Sequence, residues 1–370
     1  MTVRSVAILG AGHGGFAAAA DLAQRGYEVR LHARDPKRLH ALQAAGGVEA
    51  RGIVQGRFPV TLATTDVAQA VSEADLIMLV VPSTAHAFYA RALAPLLDGR
   101  QPIFLNPGHT GGGLHFVHEL RKAGYTDRIK TCETVSLTYV ARLEAPATVS
   151  IYGRVANLGF AALPGEYGDE LFELIRPIYP QIRRLTNVIE TALSNMNAVF
   201  HPPGMLMNAG WIEYTSGNFL FYRQGITPSI GRVTAAVDAE RIAIAEALKV
   251  SSVTFLDWFY DAGLTSAAAR DSGDISRACQ ESGPNATIAA PTSLDHRYVH
   301  EDVGCGLVPM AQFGRLAGVA TPTMNALVRL AELSLGVDYG TDGLTLENLG
   351  LATTTAAELA GFVHSDPCMS

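Results

Sequence analysis

The sequence predicts a two-part chain: an α/β domain built on a doubly wound, mostly parallel sheet, followed by an all-α domain. Three observations carry this expectation. Short buried apolar runs alternate with helical stretches through the first half. The first apolar run passes directly into a glycine-rich turn that opens a helix. From Val188 onward the apolar spacing is helical. The boundary is placed after residue 186, giving domains 1–186 and 187–370.

The first elements are the clearest. Val6–Leu9 reads as a buried strand, Gly10-Ala11-Gly12-His13-Gly14-Gly15 as a turn, and Phe16–Gln24 as a helix that Gly26 stops. Val29–His32 is the second strand. Such a turn leaves bare amides and the positive end of a helix dipole aimed at one spot, which suits a pyrophosphate. This makes the first half Rossmann-type, with Gly10, Gly12, His13, Gly14 and Gly15 as cofactor-binding candidates. Ala33 stands where an NAD-preferring site has an acid, and Arg34 follows it. A guanidinium there pairs with a 2′-phosphate, helped by Lys37 or Arg38. NADP(H) is therefore favoured over NAD(H), although a shift of one residue would make Asp35 the acid of an NAD-type site.

Further along, Lys37–Ala45 is helical, Ala74–Pro82 a buried strand, Thr84–Leu97 a helix and Pro102–Asn106 a strand. Asn106-Pro107-Gly108-His109-Thr110-Gly111-Gly112-Gly113 is a second glycine-rich turn before a helix at Leu114–Ala123. Strands follow near Ile129–Glu133 and Thr148–Tyr152. In a doubly wound sheet ligands bind beyond the carboxyl ends of the strands, so Val81 and Pro82 join the cofactor candidates. In the second half, helices are expected at Ile189–Phe200, Gly204–Tyr214, Ile230–Leu248, Val253–Ala262, Met310–Leu316 and Thr321–Leu335.

Composition narrows the function. With 48% hydrophobic and 17% charged residues the chain has material for real cores, and a net charge of −7 argues against nucleic acid. No apolar run approaches the roughly 18 residues that span a bilayer, so no membrane partner is expected. Cys132, Cys279, Cys305 and Cys368 make no metal or disulfide pattern. Reduced thiols, no metal and a cytoplasmic location are the expectation. The apolar helical half can support a homodimer.

Two segments of the helical half and one strand carry candidate chemistry. In Asn197-Ala198-Val199-Phe200-His201-Pro202-Pro203 the two prolines are expected to break the helix and turn His201 off its end, with Asn197 one turn earlier. Histidine suits acid–base work at neutral pH. In His296-Arg297-Tyr298-Val299-His300-Glu301-Asp302-Val303, Arg297 offers a fork for a carboxylate and Asp302 can orient a histidine from elsewhere. The hydroxyls of Glu133–Arg142, Thr138 among them, can line a polar pocket.

Taken with GAGHGG at Gly10–Gly15, VPSTAH at Val81–His86, NPGHTGG at Asn106–Gly112, ETVSLTYVAR at Glu133–Arg142, NAVFHPP at Asn197–Pro203 and HRYVHEDV at His296–Val303, the chain resembles the opine dehydrogenase family over its whole length. The resemblance implies a Rossmann-type domain joined to a helical one, with the active site between them. It implies reductive condensation of an α-amino acid with a 2-oxo acid, pyruvate or 2-oxoglutarate, through an imine, using NAD(P)H. His201 matches the family's catalytic histidine, Asp302 its aspartate partner and Arg297 the arginine that holds a substrate carboxylate. Thr138, His109 and Asn197 are further substrate-binding candidates. Two other readings stand beside this one. A simple 2-oxo acid or ketopantoate-type reductase would use a lysine acid, for which the helical half offers only Lys249. A non-catalytic NADP-binding sensor would have lost the polar constellation.

Overall fold

The computed structural model describes residues 2–365. They form two compact units: residues 2–191 with 359–365, and Ala192–Glu358. The chain thus re-enters the first unit at its end, where the sequence reading assigned everything after residue 186 to the helical part.

In the first unit the elements run β1 (Ser5–Leu9), α1 (His13–Gln24), β2 (Glu28–His32), α2 (Pro36–Ala45), β3 (Val48–Gly52), β4 (Gly56–Phe58), β5 (Leu62–Thr64), α3 (Val67–Val71), β6 (Leu76–Leu79), α4 (His86–Leu93), β7 (Ile103–Leu105), α5 (Gly112–Lys122), β8 (Thr131–Thr134), β9 (Tyr139–Ala145), β10 (Thr148–Arg154), β11 (Leu158–Leu163), α6 (Gly168–Ile175), β12 (Ile182–Arg184) and α7 (Val188–Leu193). Eight strands make the main sheet in the order β12-β11-β8-β7-β6-β1-β2-β5. All neighbours are parallel except β11 against β8. The central strands β1 and β6 are fully buried, mostly apolar runs, as a sheet covered on both faces requires, whereas the edge strands β5 and β12 are only partly buried. Strand order reverses on either side of β1, so the crevice beyond β1 and β6 is the ligand position of this architecture.

A second, four-stranded sheet, β4-β3-β10-β9, was not foreseen. Helix α1 packs against it as well as against the main sheet. Asp21, fully buried on α1, joins the two: it accepts from the Tyr139 hydroxyl at 2.6 Å and is ion-paired with Arg154 and Arg25. The expected helix at Thr84–Leu97 is a short 3-10 turn, Ser83–Ala85, followed by α4, which ends at Leu93, where Pro95 has no amide to donate to the Arg91 carbonyl.

The second unit comprises α8 (Asn197–Leu206), α9 (Ala209–Thr215), α10 (Pro228–Ala247), α11 (Phe255–Asp261), α12 (Ala267–Asp271), α13 (Ile275–Gln280), α14 (Arg297–Asp302), α15 (Val308–Ala317), α16 (Pro322–Leu335) and α17 (Tyr339–Asp342). Helix α18 (Ala356–His364) follows and leads back to the first unit. Phe221–Gly225 and Val303–Leu307 are π-helical turns. Arg241 on α10 is the largest fully buried side chain. It donates to Asp238 Oδ1 at 2.6 and 2.9 Å, to the Leu193 carbonyl at 2.7 Å and to Ser252 and Val253.

The two prolines after His201 do not break their helix. Pro202 and Pro203 lie inside α8, and the interruption comes earlier, between α7 and α8. Each proline deletes one ladder hydrogen bond. Packing compensates, since every residue from Ala198 to Met205 is buried. Among the described residues no helix is long and apolar enough to cross a membrane, and no cluster of His, Cys, Asp and Glu is arranged to hold a metal. Cys132, Cys279 and Cys305 are buried free thiols, while Cys368 lies outside the described residues.

Candidate active site

The first glycine-rich turn has the shape a dinucleotide needs. Gly10 sits at φ +123°, and a Cβ there would lie 2.3 Å from the Val80 carbonyl oxygen. A Cβ on Gly15 would meet the Gly10 carbonyl, so helix and strand can approach this closely only without side chains. Gly12 faces open space and caps α1 with no side chain, so the first amides of the helix are not taken by a cap. Val81 packs on Gly10 and borders the turn with the exposed Pro82. These residues fit a bound pyrophosphate. His13 is placed differently from expectation: its Nδ1 accepts from the Leu143 amide of β9 at 2.9 Å, so the ring ties the small sheet to the start of α1.

At the end of β2, Asp35 is the N-cap of α2 and accepts from the Lys37 amide at 2.9 Å. Its carboxylate is engaged in ending the loop and starting the helix. Arg34 is exposed, with its guanidinium 5.6 Å from the Phe88 ring centre, and Arg38 donates to the Ala11 carbonyl at 2.5 Å. Two cations, Arg34 and Arg38, therefore stand beside the turn, and one oxygen of Asp35 is engaged in the cap.

The second glycine-rich turn is organised by buried groups. Asn106 Oδ1 accepts from the Thr138 hydroxyl at 2.7 Å and the Thr138 amide at 3.0 Å. Thr138 is fully buried, so it pins the turn and does not line a pocket. His109 is buried in the left-handed region at φ 59°, an uncommon place for a residue with a Cβ. Glu133, which the sequence reading treated only as part of a strand, accepts from the Gly113 amide at 2.8 Å and from the Thr191 hydroxyl. Burial pushes its carboxyl up to about 7, against the pull of those two hydrogen bonds.

In the helical unit the structure brings His201 and Asp302 together. His201 Nδ1 donates to Asp302 Oδ2 at 2.7 Å, and both side chains are buried. That bond leaves Nε2 as the second polar edge, where the Tyr222 hydroxyl makes a long hydrogen bond at 3.5 Å. Aromatic rings surround the imidazole: Tyr298 stacked at 3.6 Å, Phe200 at 4.2 Å and Phe221 at 6.1 Å between centres. Tyr298 sits in the quoted HRYVHEDV run, but Phe221 and Tyr222 carried no signal in the sequence. Arg297 opens α14 with its side chain more than half exposed and its guanidinium paired with the buried Glu301, one turn on, at 3.0 Å. Asn197 begins α8, half-buried, one turn before His201. An imidazole anchored through Nδ1, with only a long hydrogen bond at Nε2, is equipped to hold and release a proton, and a solvent-accessible arginine to hold an anion.

Comparison with known proteins decides the family. Over 363 residues, 98% of this chain and 99% of the other, the sequence is 38% identical to an opine dehydrogenase from Arthrobacter sp. (strain 1C). The chain belongs to the opine dehydrogenase family. As a member of that family it is an NAD(P)-dependent oxidoreductase acting on CH–NH donors, condensing an amino acid reductively with a 2-oxo acid. Residues 184–335 match the family described as NAD/NADP octopine/nopaline dehydrogenase, alpha-helical domain. Residues 5–120 match the NAD-dependent glycerol-3-phosphate dehydrogenase N-terminus. The fold is shared with an octopine dehydrogenase solved with NADH and agmatine, at a TM-score of 0.77 and 20% identity over 98% of this chain and 99% of that one. It is shared equally with a yersinopine dehydrogenase solved with NADP+, at a TM-score of 0.75 and 16% identity over 98% of each chain.

Proposed function

We propose that His201 and Asp302 form the proton-handling pair of this opine dehydrogenase and that Arg297 holds a substrate carboxylate. The observation that carries this reading is the 2.7 Å bond between His201 Nδ1 and Asp302. Asp302 fixes the tautomer and orientation, so the proton in play is the one on Nε2. The amino group adds to the oxo carbon of the 2-oxo acid, giving a carbinolamine. Nε2–H passes its proton to the carbinolamine oxygen, the C–O bond breaks, water leaves, and the nitrogen lone pair forms the C=N bond. The bound nicotinamide cofactor supplies the reducing equivalent for that bond. Arg297 would exchange its Glu301 partner for the incoming carboxylate, orienting the oxo acid. Asn197 and His109 remain substrate-side candidates, on α8 and on the second glycine-rich turn.

Gly10, Gly12, Gly14 and Gly15 would hold the pyrophosphate with the amides of α1, and Arg34 the ribose end. We read the site as preferring NADP(H). Support comes from the capping role of Asp35 and from the two cations, Arg34 and Arg38, beside it. Pyruvate and 2-oxoglutarate are the oxo acids we propose, in a cytoplasmic enzyme whose buried free thiols suit a reducing compartment. Exposed Leu330 and Leu333, three residues apart on α16, support a homodimer.

The deciding experiment follows NADPH and NADH oxidation with a panel of 2-oxo acids, with and without a panel of amino acids. Oxidation that needs both substrates and runs faster with NADPH is the expected result. Oxidation with an oxo acid alone overturns the condensation in favour of a simple reductase.

A further inference from the structure

Helix α14 supplies His201 with two partners. Asp302 bonds its Nδ1, and Tyr298, four residues earlier and so on the same face, lays its ring on the imidazole at 3.6 Å and 11° between planes. Tyr298 is itself held on three sides. Its amide donates to His296 Nδ1 at 3.2 Å, the cap of the helix. The His296 ring meets its edge at 4.7 Å and 89°. Its hydroxyl is hydrogen-bonded to that of the buried Tyr222, whose own oxygen stands 3.5 Å from His201 Nε2. A flat stack this close on a catalytic ring is more than packing. The face of a phenol is electron-rich, and it attracts an imidazolium more strongly than a neutral imidazole.

We propose that Tyr298 is a positioning residue for the reaction, holding the His201 ring in the plane where Asp302 can orient it and stabilising the positive charge the ring carries when protonated. The proposal rests on the reading of His201 as the proton donor. Other groups on the elements packed against α8 are engaged or neutral. On α14, Arg297 pairs with Glu301. His296 stays neutral to lower pH than most histidines, because burial first and then the neighbouring Arg297 and His201 charges disfavour its protonated form. On α10, Asp238 pairs with Arg241, and on α16, Arg329 with Glu332. Burial pushes the Cys305 thiol up to about 12 and raises Tyr222 well above the usual phenol range. On α9, Glu213 is exposed. Asp302, Tyr298 and Tyr222 are the ionisable groups in direct contact with the His201 ring.

The test compares kcat and kcat/KM against pH for the full-length enzyme and for Tyr298→Leu, Tyr298→Met, Tyr298→Phe and His201→Ala. Leu and Met fill space without a π face, and either serves if the other fails to fold. Each should lower kcat about tenfold, leave KM for both substrates within about twofold, and move the alkaline limb about 0.5–1 pH unit lower. Tyr298→Phe keeps the face and should keep the limb in place. An unmoved limb in the Leu and Met variants, or Phe as damaging as Leu, overturns the proposal. Activity surviving in His201→Ala sinks the proton-donor reading instead, which separates the two failures.

Discussion

Nδ1 of His201 and Oδ2 of Asp302 lie 2.7 Å apart although 101 residues separate them in the chain. The pair is buried where α8 packs against α14. Asp302→Asn keeps the size but can present its amide NH₂ to Nδ1, favouring the tautomer with no proton on Nδ1. Turnover should fall by about 10²–10⁴-fold with cofactor affinity unchanged. Steady-state kinetics and a separate cofactor titration check this. Equal losses in both would mean that Asp302 supports the fold.

Arg34 should decide the choice of cofactor. Asp35 already caps α2 through the Lys37 amide, and Arg34 beside it is exposed and cationic. Arg34→Ser removes a charge-assisted contact to a 2′-phosphate. KM for NADPH should rise about 10–100-fold while that for NADH moves little. Parallel KM measurements settle it, and an equal change for both cofactors refutes the assignment.

Glu133 should make stability depend on pH. Its folded value, about 7, lies above the ordinary 4.5. A raised carboxyl contributes stability that is present below pH 4.5 and lost as pH climbs through 7, because the folded state must then bury a charge. The loss amounts to about 3 kcal/mol. Glu133→Gln cannot ionise. It can still accept from Gly113, and it can donate to Thr191, whose hydroxyl also has the Val188 carbonyl to bond. Urea denaturation should find the variant more stable than the parent at pH 8 and close to it at pH 5. No difference between the two pH values would show that the group titrates normally.

Arg241 should be the most sensitive polar position in the helical unit. Truncation to Ala strands Asp238, which also accepts from the Phe255 amide at 2.8 Å. A loss of about 3–5 kcal/mol is expected on denaturation. A loss below about 1 kcal/mol would mean that the cluster carries no net stability.

What the sequence made legible follows from range. The opening strand–turn–helix–strand and the long helices α10, α15 and α16 are local patterns with one period each, and they were readable within two or three residues. The small sheet was not, because β3 pairs with β10 across nearly a hundred residues and the strands carry many exposed polar positions. Pro202 and Pro203 misled for the opposite reason. Local propensity argues for a break, and burial on every side overrides it. His201, Arg297 and Asp302 were visible as residue types in polar or broken segments. Thr138 was chosen for its hydroxyl, yet nothing local shows that Asn106 consumes it. Glu133, Tyr222 and Asp21 act through partners tens of residues away.

The return of the chain to its first unit at residue 359 has a practical meaning. The nucleotide-binding half is discontinuous in the gene, and the helical half is spliced into it ahead of the last helix. A single cut near residue 187 leaves an N-terminal fragment without α18 and a C-terminal fragment carrying a helix foreign to it. A chimera that exchanges substrate modules between relatives therefore needs two junctions, one after Thr191 and one ahead of Ala356, with α18 kept whole from the parent that supplies the sheet.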